Sequence, residues 1–138
     1  MAAEPATITY IVAEPFERAV RLLRTALAQA HLRLAGELDM SSRIRERLLM
    51  GIPACQVFLV AATPAELDEL SVDPRAAALT PLHIVVSAHG AGTEIHLMRA
   101  MRAQDSPLEE PAMEVYRNLH VRITEAIERI GMRVMPGV

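Results

Sequence analysis

The sequence predicts an α+β fold in the order strand, helix, four strands, helix. A single antiparallel sheet carries the two long helices on one face, with a short helix inserted after the third strand. Three observations predict it. Segments 16–30 and 115–130 each place apolar residues at steps of three and four, the period of a one-sided helix. Five stretches rich in β-branched or alternating apolar residues lie outside them, as strands require. The last two of these are separated by His89-Gly90-Ala91-Gly92, a turn that makes them antiparallel neighbours.

Taken in order, residues 7–13 form the first strand after a loose tail. Glu14-Pro15 stops it, and Phe16, Val20, Leu23, Leu27 and Ala30 then make the stripe of the first helix. Leu32, Leu34, Gly36 and Leu38 alternate with Arg33, Ala35, Glu37 and Asp39, giving a second strand with one wet face. Residues 41–50 are basic, with Ile44, Leu48 and Leu49 as anchors, and read as a short helix or an irregular crossing.

Cys55 to Ala62 is apolar on both alternating faces, so it is expected to be central and covered on both sides. Thr63-Pro64-Ala65-Glu66 then opens the short helix with a capping box. Asp73-Pro74 ends that helix region and Pro81 closes the linker.

A two-residue turn with Gly90 first pairs Ala88 with Thr93, Ser87 with Glu94, Val86 with Ile95 and Val85 with His96. Ile84, Val86, Ile95 and Leu97 then face the core, while His83, Val85, Ser87, Glu94, His96 and Met98 share the other face. Ser106-Pro107-Leu108-Glu109 is a second capping box. Val115, Leu119, Ile123, Ile127 and Ile130 follow as the last helix, which Gly131 ends. Residues 132–138 are expected to fray.

Length and composition limit the functional classes. The chain has 138 residues, 51% hydrophobic and 22% charged, which fits one soluble domain spanning 1–138 with short loose tails. A net charge of -3 argues against a nucleic-acid binder driven by phosphate contacts. All 14 basic residues are arginine. Cys55 is the single cysteine, so no internal disulfide can form and a reducing compartment is the simplest fit. No signal-peptide pattern opens the chain, and no apolar run approaches the roughly 20 residues needed to span a bilayer. A cytoplasmic, bacterial protein is the expectation.

The chain at this point resembles the DUF302 family, a domain of unknown function in small bacterial proteins, over residues 7–131. The resemblance rests on the first helix and the strand ending at Asp39, on Phe58-Leu-Val-Ala-Ala-Thr-Pro64, and on Leu70, Asp73-Pro74 and Ala78-Leu-Thr-Pro-Leu-His-Ile-Val-Val86. It implies a TATA-box-binding-protein-like fold, an antiparallel sheet with helices on one side, and dimers. Where the family typically has Cys-Asn-Pro and Pro-Cys-Asn, this chain has Ala62-Thr63-Pro64 and Pro81-Leu82-His83. Both family thiols are absent, so no metal or redox role resting on them carries over.

Each candidate for chemistry has a plainer alternative. His83, His96 and Met98 lie on one face of the hairpin, with His83 opposite Met98 and diagonal to His96. Two imidazoles and a thioether suit a soft ion such as Cu(I); the same side chains equally suit a half-buried sheet face or a dimer interface, the preferred reading. His89 belongs to solvent, and His31 and His120 to surface or capping positions. Cys55 lacks a cationic neighbour and reads as a small buried apolar side chain. No nucleophile elbow or phosphate loop is present. Arg43, Arg45 and Arg47 read as a solvated face, and the scattered methionines as filler.

With both helices on one side, the other side of the sheet is expected to carry Phe58, Val60, Val85, His83, His96 and Met98. That is too apolar to stay wet. A second copy of the chain, segment 40–53, or a ligand would cover it, and a homodimer is the commonest solution. The leading expectation is therefore a non-catalytic dimeric module, binding a small apolar ligand near His83, His96, Phe58 and Val85 or a protein partner. Two alternatives stand beside it: a soft-metal protein using His83, His96 and Met98, and an enzyme whose site closes across a dimer. The cofactor, if any, is unspecified, and neither nucleic acid nor membrane is an expected partner.

Overall fold

The computed structural model describes residues 5–42, 53–106, 108, 110 and 112–135. Its elements are β1 (Thr7–Val12), α1 (Phe16–Gln29), β2 (Arg33–Asp39), β3 (Cys55–Ala61), α2 (Pro64–Leu70), β4 (Leu82–His89), β5 (Gly92–Met98), α3 (Ala112–Glu128) and β6 (Met132–Arg133). Short 3-10 turns occupy Pro74–Ala78 and Ala103–Asp105. All six strands form one antiparallel sheet in the order β2-β3-β4-β5-β1-β6.

One face of this sheet carries the core. Tyr10, Phe58, Val60, Ile84, Val86 and Ile95 are fully buried there. Leu23 and Leu27 of α1 and Leu119, Ile123 and Ile127 of α3 cover them. The two long helices also touch each other. They follow the stripes that the sequence predicts, with one difference in α3. Val115 is only half-buried, whereas Met113, Tyr116 and His120 are buried. The contact face is therefore turned toward those three residues, and His120, expected at the surface, lies 6% exposed inside.

The hairpin has the predicted register, with Val85 opposite His96 and His89 opposite Gly92. Gly90 sits at φ 59 as the first central turn residue, where a Cβ would be strained. The capping box of α2 is complete: the Thr63 side chain accepts from the Glu66 amide at 3.2 Å, and the Glu66 carboxylate accepts from the Thr63 amide at 2.9 Å. The Ser106 hydroxyl accepts from the Leu108 amide, while residues 107 and 109 of the second expected box lie outside the described residues, as does most of segment 41–50. Asp39 opens a helical segment at Met40–Ser42 by accepting from the Ser42 amide and both serine hydroxyls.

Three expectations are corrected. β3 is interior to the sheet, between β2 and β4, but only Phe58 and Val60 are covered; Val57, Leu59 and Ala61 on its other face are half-buried. β2 shifts register between Leu34 and Gly36. The extra residue of a bulge reverses the alternation, so Leu34 meets Val60 on the core side while Leu38 meets Val57 on the opposite side. Finally, Met132 and Arg133 do not fray. They pair with Ile11 and Tyr10, and the Val134 amide donates to Thr9. Gly131 permits this return: a Cβ there would lie 3.0 Å from both the Ile11 carbonyl oxygen and the Val12 Cγ2.

Candidate functional site

The face of the sheet turned away from the helices carries most of the residues singled out by sequence. Cross-strand register sets them in rows. Leu38, Val57, Val85, His96 and Thr9 form one row across five strands. Leu59 and His83 pair in the next, which runs toward Met98 and Thr7. Cys55, Ser87, Glu94, Ile11 and Met132 form a third. The β2–β3–β4 half of this face is mainly apolar and half-buried, and the β5–β1 half is mixed.

Phe58 does not share this surface. Its place in the alternation of β3 puts it beneath the helices, with the Arg24 guanidinium 5.8 Å from the ring centroid. Val60 is beneath them too, and the β3 residues that face outward are Cys55, Val57, Leu59 and Ala61. His83, Val85, His96 and Met98 do lie together.

His96 is the most connected side chain of the face. Its Nδ1 lies 3.0 Å from the Thr9 hydroxyl, and its Nε2 lies 3.3 Å from Glu94 Oε2 and 3.5 Å from the Ser87 hydroxyl. An ionised carboxylate only accepts, so a neutral His96 carries its proton on Nε2 and accepts from Thr9 at Nδ1. Glu94 Oε1 is also 3.5 Å from His89 Nδ1. Both nitrogens of His96 are thus engaged within the chain, whereas His83 and Met98 are exposed. Among the described residues no three His, Cys, Asp or Glu side chains gather as a cation site.

Cys55 is half-buried on this face rather than enclosed in the core. Burial, and then the negative charge of Asp39, raises its thiol pKa. The thiol therefore stays protonated and weakly nucleophilic at neutral pH.

Two cavities border this face, the larger through His83 and Met98 and the smaller through Ala61. The larger, about 1140 Å³, is a groove bounded by α3, by β1 and β5, and by the segment that follows Met98. Tyr10, Tyr116, His120 and Glu128 line it. The Tyr10 hydroxyl donates to Glu128 Oε1 at 3.4 Å, and its pKa is raised, first by burial and then by the Glu128 charge. The Tyr116 hydroxyl accepts from the Met101 amide at 3.1 Å, and His120 Nε2 donates to the Met98 carbonyl at 2.8 Å. The only signal of this cluster in the sequence is spacing: Tyr116 and His120 are four residues apart on one helical face, beside the apolar stripe.

The smaller cavity, about 350 Å³, is walled by Ala61, Ala62, Leu67, Leu70, Ala76 and Pro81 among others. Val60 pairs with Leu82, so positions 62 and 82 fall on the core side at the same end of β3 and β4. Both are buried and apolar here, which leaves that end of the sheet without a ligating or redox group at either position.

Comparison with known proteins bears on the fold and the family. The model of the family described as "Domain of unknown function DUF302" matches residues 8–130. No curated protein matches the chain. Among solved structures, the crystal structure of an uncharacterized conserved protein DUF302 from Bacillus stearothermophilus is similar, with a TM-score of 0.79 at 14% sequence identity. The match covers 92% of this chain and 99% of that one. At that identity the likeness concerns the fold. No helix among the described residues is long and apolar enough to cross a membrane.

Proposed function

The chain belongs to the DUF302 family, and from that premise we propose that it is a non-catalytic interaction module whose two copies pair through the open face of the sheet. The observation that supports this is the apolar area formed by Leu38, Val57, Leu59 and Val85 on three adjacent strands, on the side of the sheet away from the core that α1 and α3 cover; Ala61 at its end shares a cavity with Leu67 and Leu70 of α2. Large side chains continue the area at its far edge, with Ile11 48% and Met98 58% exposed. A contiguous apolar surface of this kind favours a partner over water, and a face that meets its own copy about a two-fold axis is the commonest arrangement. Thr9, Ser87, Glu94 and His96 then supply polar groups within the same interface, already bonded to one another and so carrying little unmet hydrogen-bonding demand.

Size-exclusion chromatography with light scattering tests this reading. Twice the 15.1 kDa chain mass is expected at micromolar concentration. Val57→Glu, which places a charge in the centre of the area, is expected to give a folded monomer by circular dichroism. A wild-type monomer, or a Val57→Glu dimer, contradicts the proposal.

A further inference from the structure

We propose that the groove beside α3 binds a small apolar carboxylic acid, with its carboxyl group held between Tyr116 and His120. Tyr116 is 4% exposed and His120 6% exposed, yet each lines the groove with unused hydrogen-bonding capacity. The Tyr116 hydroxyl accepts from the Met101 amide, but its own proton has no acceptor among the described residues. A carbonyl oxygen can only accept, so the bond to Met98 commits His120 Nε2 as a donor. That leaves Nδ1 of the ring without a partner among the described residues. No buried side-chain nitrogen or oxygen among the described residues lacks a hydrogen-bond partner, so Nδ1 is open to the groove, and it stands a helical turn from the Tyr116 hydroxyl on the same wall.

A carboxyl group matches that pair. As a neutral acid it accepts from the Tyr116 hydroxyl and donates to Nδ1; as a carboxylate it accepts from Tyr116 and from a protonated Nδ1. The remaining walls select the rest of the molecule. Ile8, Leu79, Leu82, Leu97 and Met101 offer an apolar surface. Arg102 and Arg133 also line the groove together with Asp105 and Glu128, and Arg102 is paired with Asp105 at 3.3 Å. The volume exceeds that of a drug-sized pocket and accommodates a chain of several carbons. Tyr116 and His120 lie on the helix-covered side of the sheet, while His83 and Met98 at the rim of the groove belong to the open face, so loss of octanoate binding in the Tyr116 and His120 variants tests this site separately from dimerisation.

The test uses the full chain with octanoate as probe and octan-1-ol as its uncharged control, read by isothermal titration calorimetry. Octanoate is expected to bind once per chain, more tightly than the alcohol. Tyr116→Phe and His120→Gln are each expected to weaken octanoate at least tenfold while leaving the alcohol unchanged. On the wild-type protein, octanoate is expected to shift the backbone amide resonances of Met101, Tyr116 and His120. The proposal is overturned by the absence of binding at millimolar octanoate, by equal binding to folded variants, or by shifts confined to the Val57 and Val85 region.

Discussion

His120 and Met98 tie the last helix to the sheet: the imidazole Nε2 donates to the carbonyl oxygen of Met98 at 2.8 Å. The helix thereby satisfies a backbone acceptor at the end of β5, beneath the groove. Replacing His120 by Leu keeps an apolar contact but removes the donor, leaving the part-buried Met98 carbonyl without its partner. The expected loss of stability is about 1–3 kcal/mol, measured as a lower urea midpoint. His120→Gln retains a donor at the side-chain end and is expected to lose less.

Glu66 links stability to pH. Burial alone would raise its pKa, but hydrogen bonds from the Thr63 amide and hydroxyl, with the Arg122 guanidinium, outweigh it, and the pKa is lowered. A group with a depressed folded-state pKa stabilises fully above its unfolded value, about 4.3 for glutamate, and loses that contribution as pH falls through the lower folded value. Wild type is therefore expected to be more stable than Glu66→Gln at pH 7. The difference between their urea midpoints is expected to shrink below about pH 4. A gap that is constant from pH 7 to pH 3 would contradict this assignment. The same carboxylate joins α2 to α3 through Arg122 at 3.2 Å, and that guanidinium also reaches the Ala30 carbonyl oxygen beyond α1.

Gly131 governs the sixth strand. With backbone and side chain of β1 both 3.0 Å from the position of a Cβ, Gly131→Val must push the returning chain away from Ile11 and Val12. The expected cost is about 1–3 kcal/mol. Hydrogen exchange checks the mechanism: the Val134 amide, which donates to Thr9, is expected to lose protection before amides within β4 do.

What was legible in the sequence was whatever depends on local pattern. The stripes of α1 and α3, the Thr63–Glu66 box and the Gly90 turn each follow from residues within a few positions of one another, and each is present. The hairpin register followed from the turn alone, and with it the shared face of His83, Val85, His96 and Met98. Features set by distant contacts were not legible. The bulge at Ala35 is invisible in a stretch that alternates cleanly, yet it sends Leu34 and Leu38 to opposite faces. A strand apolar on both sides does not announce which side the helices cover: the pattern allows Phe58 and Val60 on the open side, and the structure buries them beneath the helices. His120 looked like a surface residue because its partner, the Met98 carbonyl, is a backbone atom that no side-chain motif encodes.

The claim that two copies meet on the open sheet face is tested most directly by isotope-filtered nuclear Overhauser spectroscopy on a sample mixed from labelled and unlabelled protein. The account predicts cross-peaks to the unlabelled copy from the methyl groups of Val57, Leu59 and Val85, and none from Leu23 or Ile123 beneath the helices. Intermolecular cross-peaks confined to the helical side, or none at all at a concentration where light scattering reports a dimer, would contradict it.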